Sequence, residues 1–144
     1  MGGSGGGGSF SSKDMAKIQE AAEQRLKALA SQSTKVLFVC EQSDKKSLEG
    51  HLAKSAVFKD DRTIVVDSSQ SDQIDKAIVE ASFLVCFTDA TKIGTFVDVA
   101  IDKAMVKKIG VVHVKAHSTS FIPSKISAYR MRSITWRELE AIFK

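Results

Sequence analysis

Three clusters of carboxylate, amide and hydroxyl side chains follow three apolar runs in this chain. Glu41-Gln42-Ser43-Asp44 comes after Val36 to Cys40, Asp67-Ser68-Ser69-Gln70-Ser71 after Thr63 to Val66, and Thr88-Asp89-Ala90-Thr91-Lys92-Ile93-Gly94 after Phe83 to Phe87. Such side chains donate to and accept from sugar hydroxyls and amides. A helical pattern opens at Thr95, directly behind the third cluster. Its N-terminus would turn free backbone N–H groups and a positive dipole end toward a phosphate-bearing ligand. Asp98, three residues after Thr95, reads first as the partner in a capping box and second as a catalytic acid.

Other chemistries find less support. No G-x-G-x-x-G follows a strand and no G-x-x-x-x-G-K-[ST] occurs, which disfavours a dinucleotide-binding oxidoreductase and a P-loop enzyme. Glu41 and Asp89 can be placed on the acids of receiver domains, but the adjacent acidic pair of those domains is missing and Lys125 is only loosely placed. His51, His113 and His117 lack ligand spacing with Cys or with a second His, so no metal is expected. Cys40 and Cys86 lie inside apolar strand runs and are expected as buried, reduced thiols.

The elements that must hold these clusters alternate. Strand, polar loop and helical pattern repeat three times, with Leu48, Leu52, Ala53 and Ala56 on the first helix and Ile74, Ala77, Ile78 and Ala81 on the second. The third helix starts at Thr95. A fourth strand is predicted from Ile109 to Val114, and a fifth within Arg130 to Ile134 after a polar, Pro-containing connection. Thr135-Trp136-Arg137-Glu138 is a capping-box pattern for a last helix that places Leu139, Ile142 and Phe143 on one face. Strands this apolar, alternating with helices, predict a flavodoxin-like, doubly wound parallel sheet of about five strands. In such sheets ligands bind outside the carboxyl ends of the strands, where the three clusters fall.

The stretch from Gln73 to Asp89, continuing through Gly94-Thr95-Phe96-Val97-Asp98-Val99-Ala100-Ile101-Asp102-Lys103-Ala104, resembles the centre of TIR and TIR-like domains, above all the stand-alone bacterial type of Thoeris antiphage systems. The family pattern is a helix with I-x-x-A-I, an apolar strand, a Thr- or Ser-bearing loop, an aromatic-Val pair (here Phe96-Val97), then Glu-Ile and an Ala four residues after that Glu (here Ala104). Phe38-Val39-Cys40 with Asp44 is similar to a degenerate form of the family's opening motif. The resemblance spans roughly Lys35 to Lys144 and implies cleavage of the nicotinamide–ribose bond of NAD, with cyclisation or transfer of ADP-ribose in some members. It further implies a nucleotide site among Glu41, Gln42, Ser43, Ser68, Ser69, Thr88, Asp89, Thr91 and Phe96, and activity in homo-oligomers or filaments.

The family's catalytic Glu falls on Ala100, where the chain reads Val99-Ala100-Ile101. Met1 to Ser9, MGGSGGGGS, has the composition of an engineered Gly/Ser linker, so an engineered Glu→Ala inactivation is the expected origin of Ala100. Ala also suits a packed helix face, and a non-enzymatic TIR-like scaffold would carry it naturally. A third reading, a nucleoside deoxyribosyltransferase-like enzyme, rests on the similarity of Gly94-Thr95-x-x-Asp98 to that family, with Asp98 as nucleophile.

At 144 residues and 43% hydrophobic, the chain suffices for one domain over residues 34–144. Residues 10–33 form an amphipathic pattern in which Met15, Ile18, Ala22, Leu26 and Leu29 recur at helical spacing, as a linker to a regulatory domain or as an assembly element. The net charge of +4 brings no aromatic or zinc motif with it, so no nucleic-acid partner is expected. No run nears the roughly 18 apolar residues of a membrane span, and no secretory signal is present, so a cytoplasmic protein is expected.

Overall fold

Strand β1 (Val36–Cys40) is apolar at all of its positions and buried at all of them, which requires strand neighbours on both edges and helices on both faces. The structure, a computed structural model, describes Glu20, residues 35–89 and residues 95–143. The predicted linker 1–9, the amphipathic segment 10–33 apart from Glu20, and the loop 90–94 with Thr91 lie outside the described residues.

After β1 the described chain runs through helix α1 (Lys45–Lys54), β2 (Thr63–Asp67), α2 (Ile74–Glu80), β3 (Phe83–Thr88), α3 (Phe96–Lys107), β4 (Gly110–Lys115), α4 (Ser124–Ala128), β5 (Ser133–Thr135) and α5 (Trp136–Phe143). The strands form one sheet in the order β2-β1-β3-β4-β5, and every pairing is parallel. This is the flavodoxin-like arrangement that the sequence predicts. Because side chains alternate across a strand, Val36, Phe38, Phe83, Val85 and Phe87 pack with Leu48 of α1 and with Leu139 and Phe143 of α5. Leu37, Val39, Leu84 and Cys86 face the opposite way, toward α2, α3 and Ile126 of α4.

Several boundaries differ from expectation for identifiable reasons. Helix α1 ends at Lys54, because the Ser55 hydroxyl accepts from the N–H groups of Val57 and Phe58. Ala53 and Ala56 are therefore exposed rather than part of the apolar stripe, and Phe58 takes the buried place. Ile109 does not open β4: Lys108 turns left-handed (φ 60°), and the N–H groups of Lys108 and Ile109 close back on Met105 and Ala104. That helix cap consumes Ile109 before the ladder begins. Arg130 is likewise left-handed (φ 57°), and Met131 N–H returns to the Ile126 carbonyl, so β5 is shorter than predicted. Helix α4, inside the supposed loop, was not expected. At the last helix the capping box forms as read: Glu138 Oε1 accepts from Thr135 N–H, and Thr135 Oγ1 accepts from Glu138 N–H.

Candidate functional site

The chain passes from β1 outward to β2 and then back across to β3, so the switch point of strand order lies at the carboxyl ends of β1 and β3. Three of the polar clusters meet there, and the structure ties them together. Gln42 N–H donates to Ser68 Oγ at 2.8 Å, joining the loops after β1 and β2. Lys45 Nζ lies 3.0 Å from Asp67 Oδ2, a second link between the same elements. Asp89 N–H points at Asp44 Oδ2 at 3.3 Å, joining the loops after β1 and β3. A fourth loop closes in after β4, where His117 Nε2 is 3.0 Å from Asp89 Oδ1 and Ser120 Oγ donates to the Asp89 carbonyl.

Asp44 and Asp67 are buried at this edge, beside Glu41 and Asp89. Burial pushes the Asp67 carboxyl up, but hydrogen bonds from the Ser69 hydroxyl, Lys45 and the Ser69 N–H outweigh it and hold Asp67 below the ordinary carboxylate range. The same contact raises Lys45. Asp67 caps the 3-10 turn over Ser68–Gln73 and closes a capping box with Gln70. Glu41 differs from its neighbours: its Oε2 atom is buried and has no hydrogen-bond partner among the described residues. A carboxylate oxygen held away from water without a donor is costly, on the order of 1–3 kcal/mol or more for a charged group.

The remaining predicted site residues are placed as follows. Gln42, Ser43 and Ser69 are exposed, and Ser68 is half-buried. Thr88 is fully buried and faces inward: its hydroxyl donates to the Phe121 carbonyl at 2.7 Å and lies 2.8 Å from His113 Nε2. One hydroxyl proton cannot serve both, so Nε2 must carry the imidazole proton and donate to Thr88. His113 Nδ1 then accepts from Ser133 Oγ at 2.6 Å. Burial pulls His113 down to about 4, with a smaller contribution from Lys115, and keeps it neutral. Thr88 is thus a core residue joining β3, β4 and β5, not a lining residue of the edge.

Asp98 does not complete a capping box with Thr95, which makes no side-chain cap bond. Its two carboxylate oxygens instead accept from Ser124 Oγ and Lys125 N–H, both at 2.9 Å, at the start of α4. Both oxygens are engaged by the polypeptide, which leaves Asp98 poorly placed as a nucleophile. Lys125 pairs with Asp102 at 3.3 Å, away from Glu41 and Asp89, so the receiver-type constellation does not assemble. Phe96 and Ala100 belong to the apolar cluster between α3 and the sheet, and Ala100 is fully buried. Among the described residues no group of three or more His, Cys, Asp or Glu is arranged to hold a metal, and no helix is long and apolar enough to cross a membrane.

Sequence reasoning missed the roles of Lys45, His113, Ser133 and His117. Only the Asp67-x-x-Gln70 spacing, a local capping signal, was available to flag part of this network.

The two thiols fall on opposite faces of the sheet, Cys40 with the α1 and α5 core and Cys86 with the α2 and α3 core. They cannot pair. Burial pushes the Cys40 thiol up to about 12, helped by Asp44 and Asp67, and raises Cys86 as well. Both thiols are expected to react with a disulfide reagent at least about a hundredfold more slowly in the native chain than in denaturant. One thiol reacting at the denatured rate under native conditions would contradict this placement.

No protein-family model matches the chain, and no curated protein matches it.

Proposed function

We propose that this chain is a TIR-like domain whose carboxyl edge takes NAD at the β1/β3 switch point, and that with Ala100 it binds the dinucleotide without cleaving it. The observation that supports this best is the buried Glu41 Oε2, without a hydrogen-bond partner among the described residues, beside Asp44 and Asp67. A ribose hydroxyl is the donor such an oxygen lacks. The local surplus of carboxylates suits the cationic nicotinamide end of NAD, while the positive dipole end at the start of α3 suits its phosphates.

Rupture of the nicotinamide–ribose bond sends the bonding pair to nicotinamide and develops positive charge on the ribose. A carboxylate beside the ring stabilises that charge, and a methyl group does not. Helical side chains lean toward the helix N-terminus, and the N-terminus of α3 lies at the carboxyl edge. A Glu at position 100 would lean in that direction past Phe96 and Val97 of the same buried cluster, which must give way for its carboxylate to reach the edge. A homo-oligomer, as the resemblance implies, is the form in which the reaction would run.

A second reading has its own observation. Ala100 is fully buried, 0% accessible in an apolar cluster with Phe96, Val97 and Ala104, which suits a scaffold with a natural Ala. The test compares this chain with Ala100→Glu at high protein concentration, with the assembly state measured alongside and nicotinamide separated by chromatography. Nicotinamide release from the Glu form, at least about a hundredfold above this chain, is the expected result. No release from assembled, folded Ala100→Glu would overturn the NAD-cleaving reading in favour of the scaffold.

A further inference from the structure

Helices α2 and α3 lie side by side on one face of the sheet, and both run from its carboxyl edge toward its amino edge. Lys103 Nζ of α3 reaches Asp75 Oδ1 of α2 at 2.7 Å, so these two residues mark the same level of the groove between the helices. Val79 is four residues beyond Asp75 and Val106 three beyond Lys103, each one turn nearer the amino edge and on the same side of its helix as the bridge. Val79 is 68% exposed and Val106 80% exposed, the two most exposed large apolar side chains among the described residues. Val99, a turn above Lys103 on the same face, is exposed as well.

The described chain enters β1 close to this point. The Lys35 carbonyl accepts from Ser82 N–H at 2.9 Å, and Ser82 is three residues from Val79. Immediately upstream the sequence carries Met15, Ile18, Ala22, Leu26 and Leu29 at helical spacing, an apolar stripe with no acceptor on its own segment. Five residues lie between Leu29 and Lys35, six steps of chain with a reach of about 20 Å when extended. Val79 lies three residues from the Ser82 that bonds Lys35, and the Lys103–Asp75 bridge holds α3 alongside α2, with packed helices about 8–10 Å apart, so a segment that arrives at Val79 also faces α3.

We propose that the groove between α2 and α3, at the amino edge of the sheet, is the docking site of this chain's own residues 15–29. The size of the patch decides between occupants. A stable interface between separate molecules needs about 800 Å² from each partner, far more than two or three valines offer. A segment joined through a few residues acts at an effective concentration in the millimolar range and needs no such area. The proposal is independent of the NAD reading, because it concerns the opposite edge of the sheet.

The test is hydrogen–deuterium exchange on the full chain at two protein concentrations, with light scattering at each. Val79→Asp/Val106→Asp alters the groove at exposed positions, and Leu26→Asp alters the stripe without touching the described domain. Amides in 15–29 are expected to be protected in the unaltered chain and to exchange about tenfold faster in both variants, at either concentration and at monomer mass. Absence of protection, or protection indifferent to the groove variant, would overturn the proposal. So would protection that grows with concentration alongside a dimer mass, since the occupant would then be a second copy.

Discussion

Lowering the pH from 6.5 to about 4 should cost this domain on the order of 3 kcal/mol of stability through His113 alone. The folded His113 is pulled down to about 4 against an ordinary value of 6.5, because burial penalises its charged form, with a smaller contribution from Lys115. Below pH 6.5 the unfolded chain therefore takes up a proton that the folded chain refuses until about pH 4. A state that binds more protons gains as pH falls, so the stability present above 6.5 is lost progressively down to 4 and changes no further below it. The hydrogen-bonded carboxylates Asp67, Asp102 and Glu138 are held below their ordinary values, so their own losses begin lower, as pH falls through the carboxylate range. Over the interval from 6.5 to 4.5 the difference between the unaltered chain and His113→Gln therefore reports this imidazole. Urea unfolding across that interval should show a steady loss in the unaltered chain and a much flatter profile in His113→Gln, which keeps one donor and one acceptor but does not titrate. Equal slopes in the two proteins would mean that His113 is not buried and neutral as described.

That network also marks the limit of what the sequence discloses. The strands are legible because β1 and β3 are buried on both faces, and a run such as Val36 to Cys40 has no other stable use in a soluble sheet. The three polar clusters are legible as a site because their place follows from topology rather than from any contact. Partner choice is different. Asp98 reads locally as the cap of its own helix, yet it caps α4, whose Lys125 lies 27 residues away. Thr88 reads as a loop hydroxyl beside Asp89, but its partners are His113 and the Phe121 carbonyl. The left-handed caps at Lys108 and Arg130 carry no glycine, so the usual signal for ending a helix is missing where β4 and β5 lose their first predicted residues. Short α4 has one buried apolar residue, Ile126, and five residues are too few to establish a period.

Phe38→Ala is expected to produce the largest stability loss of any single substitution on the α1/α5 face, about 3–5 kcal/mol. Phe38 is fully buried near the middle of β1, beside Val65 and Val85 in the sheet register. Its ring meets Phe58 edge-on with centroids 5.2 Å apart and stacks on Trp136 at 5.8 Å. Phe58 in turn contacts Phe143 at 5.3 Å, and Trp136 contacts His51 at 5.1 Å, so the cluster joins α1, the segment before β2, and α5 through one side chain. Removing the ring forfeits its transfer from water and leaves a cavity that stiff aromatic neighbours cannot easily fill. Each aromatic pair adds about 0.5–1.5 kcal/mol beyond its buried area. Phe38→Leu keeps most of the volume and should lose markedly less, with the difference reporting ring geometry rather than hydrophobicity. Urea unfolding monitored by Trp136 fluorescence gives both values, because the only tryptophan in the chain lies against the substituted ring. A loss below about 1 kcal/mol for Phe38→Ala would place that ring outside a packed core and would remove the aromatic link between α1 and α5.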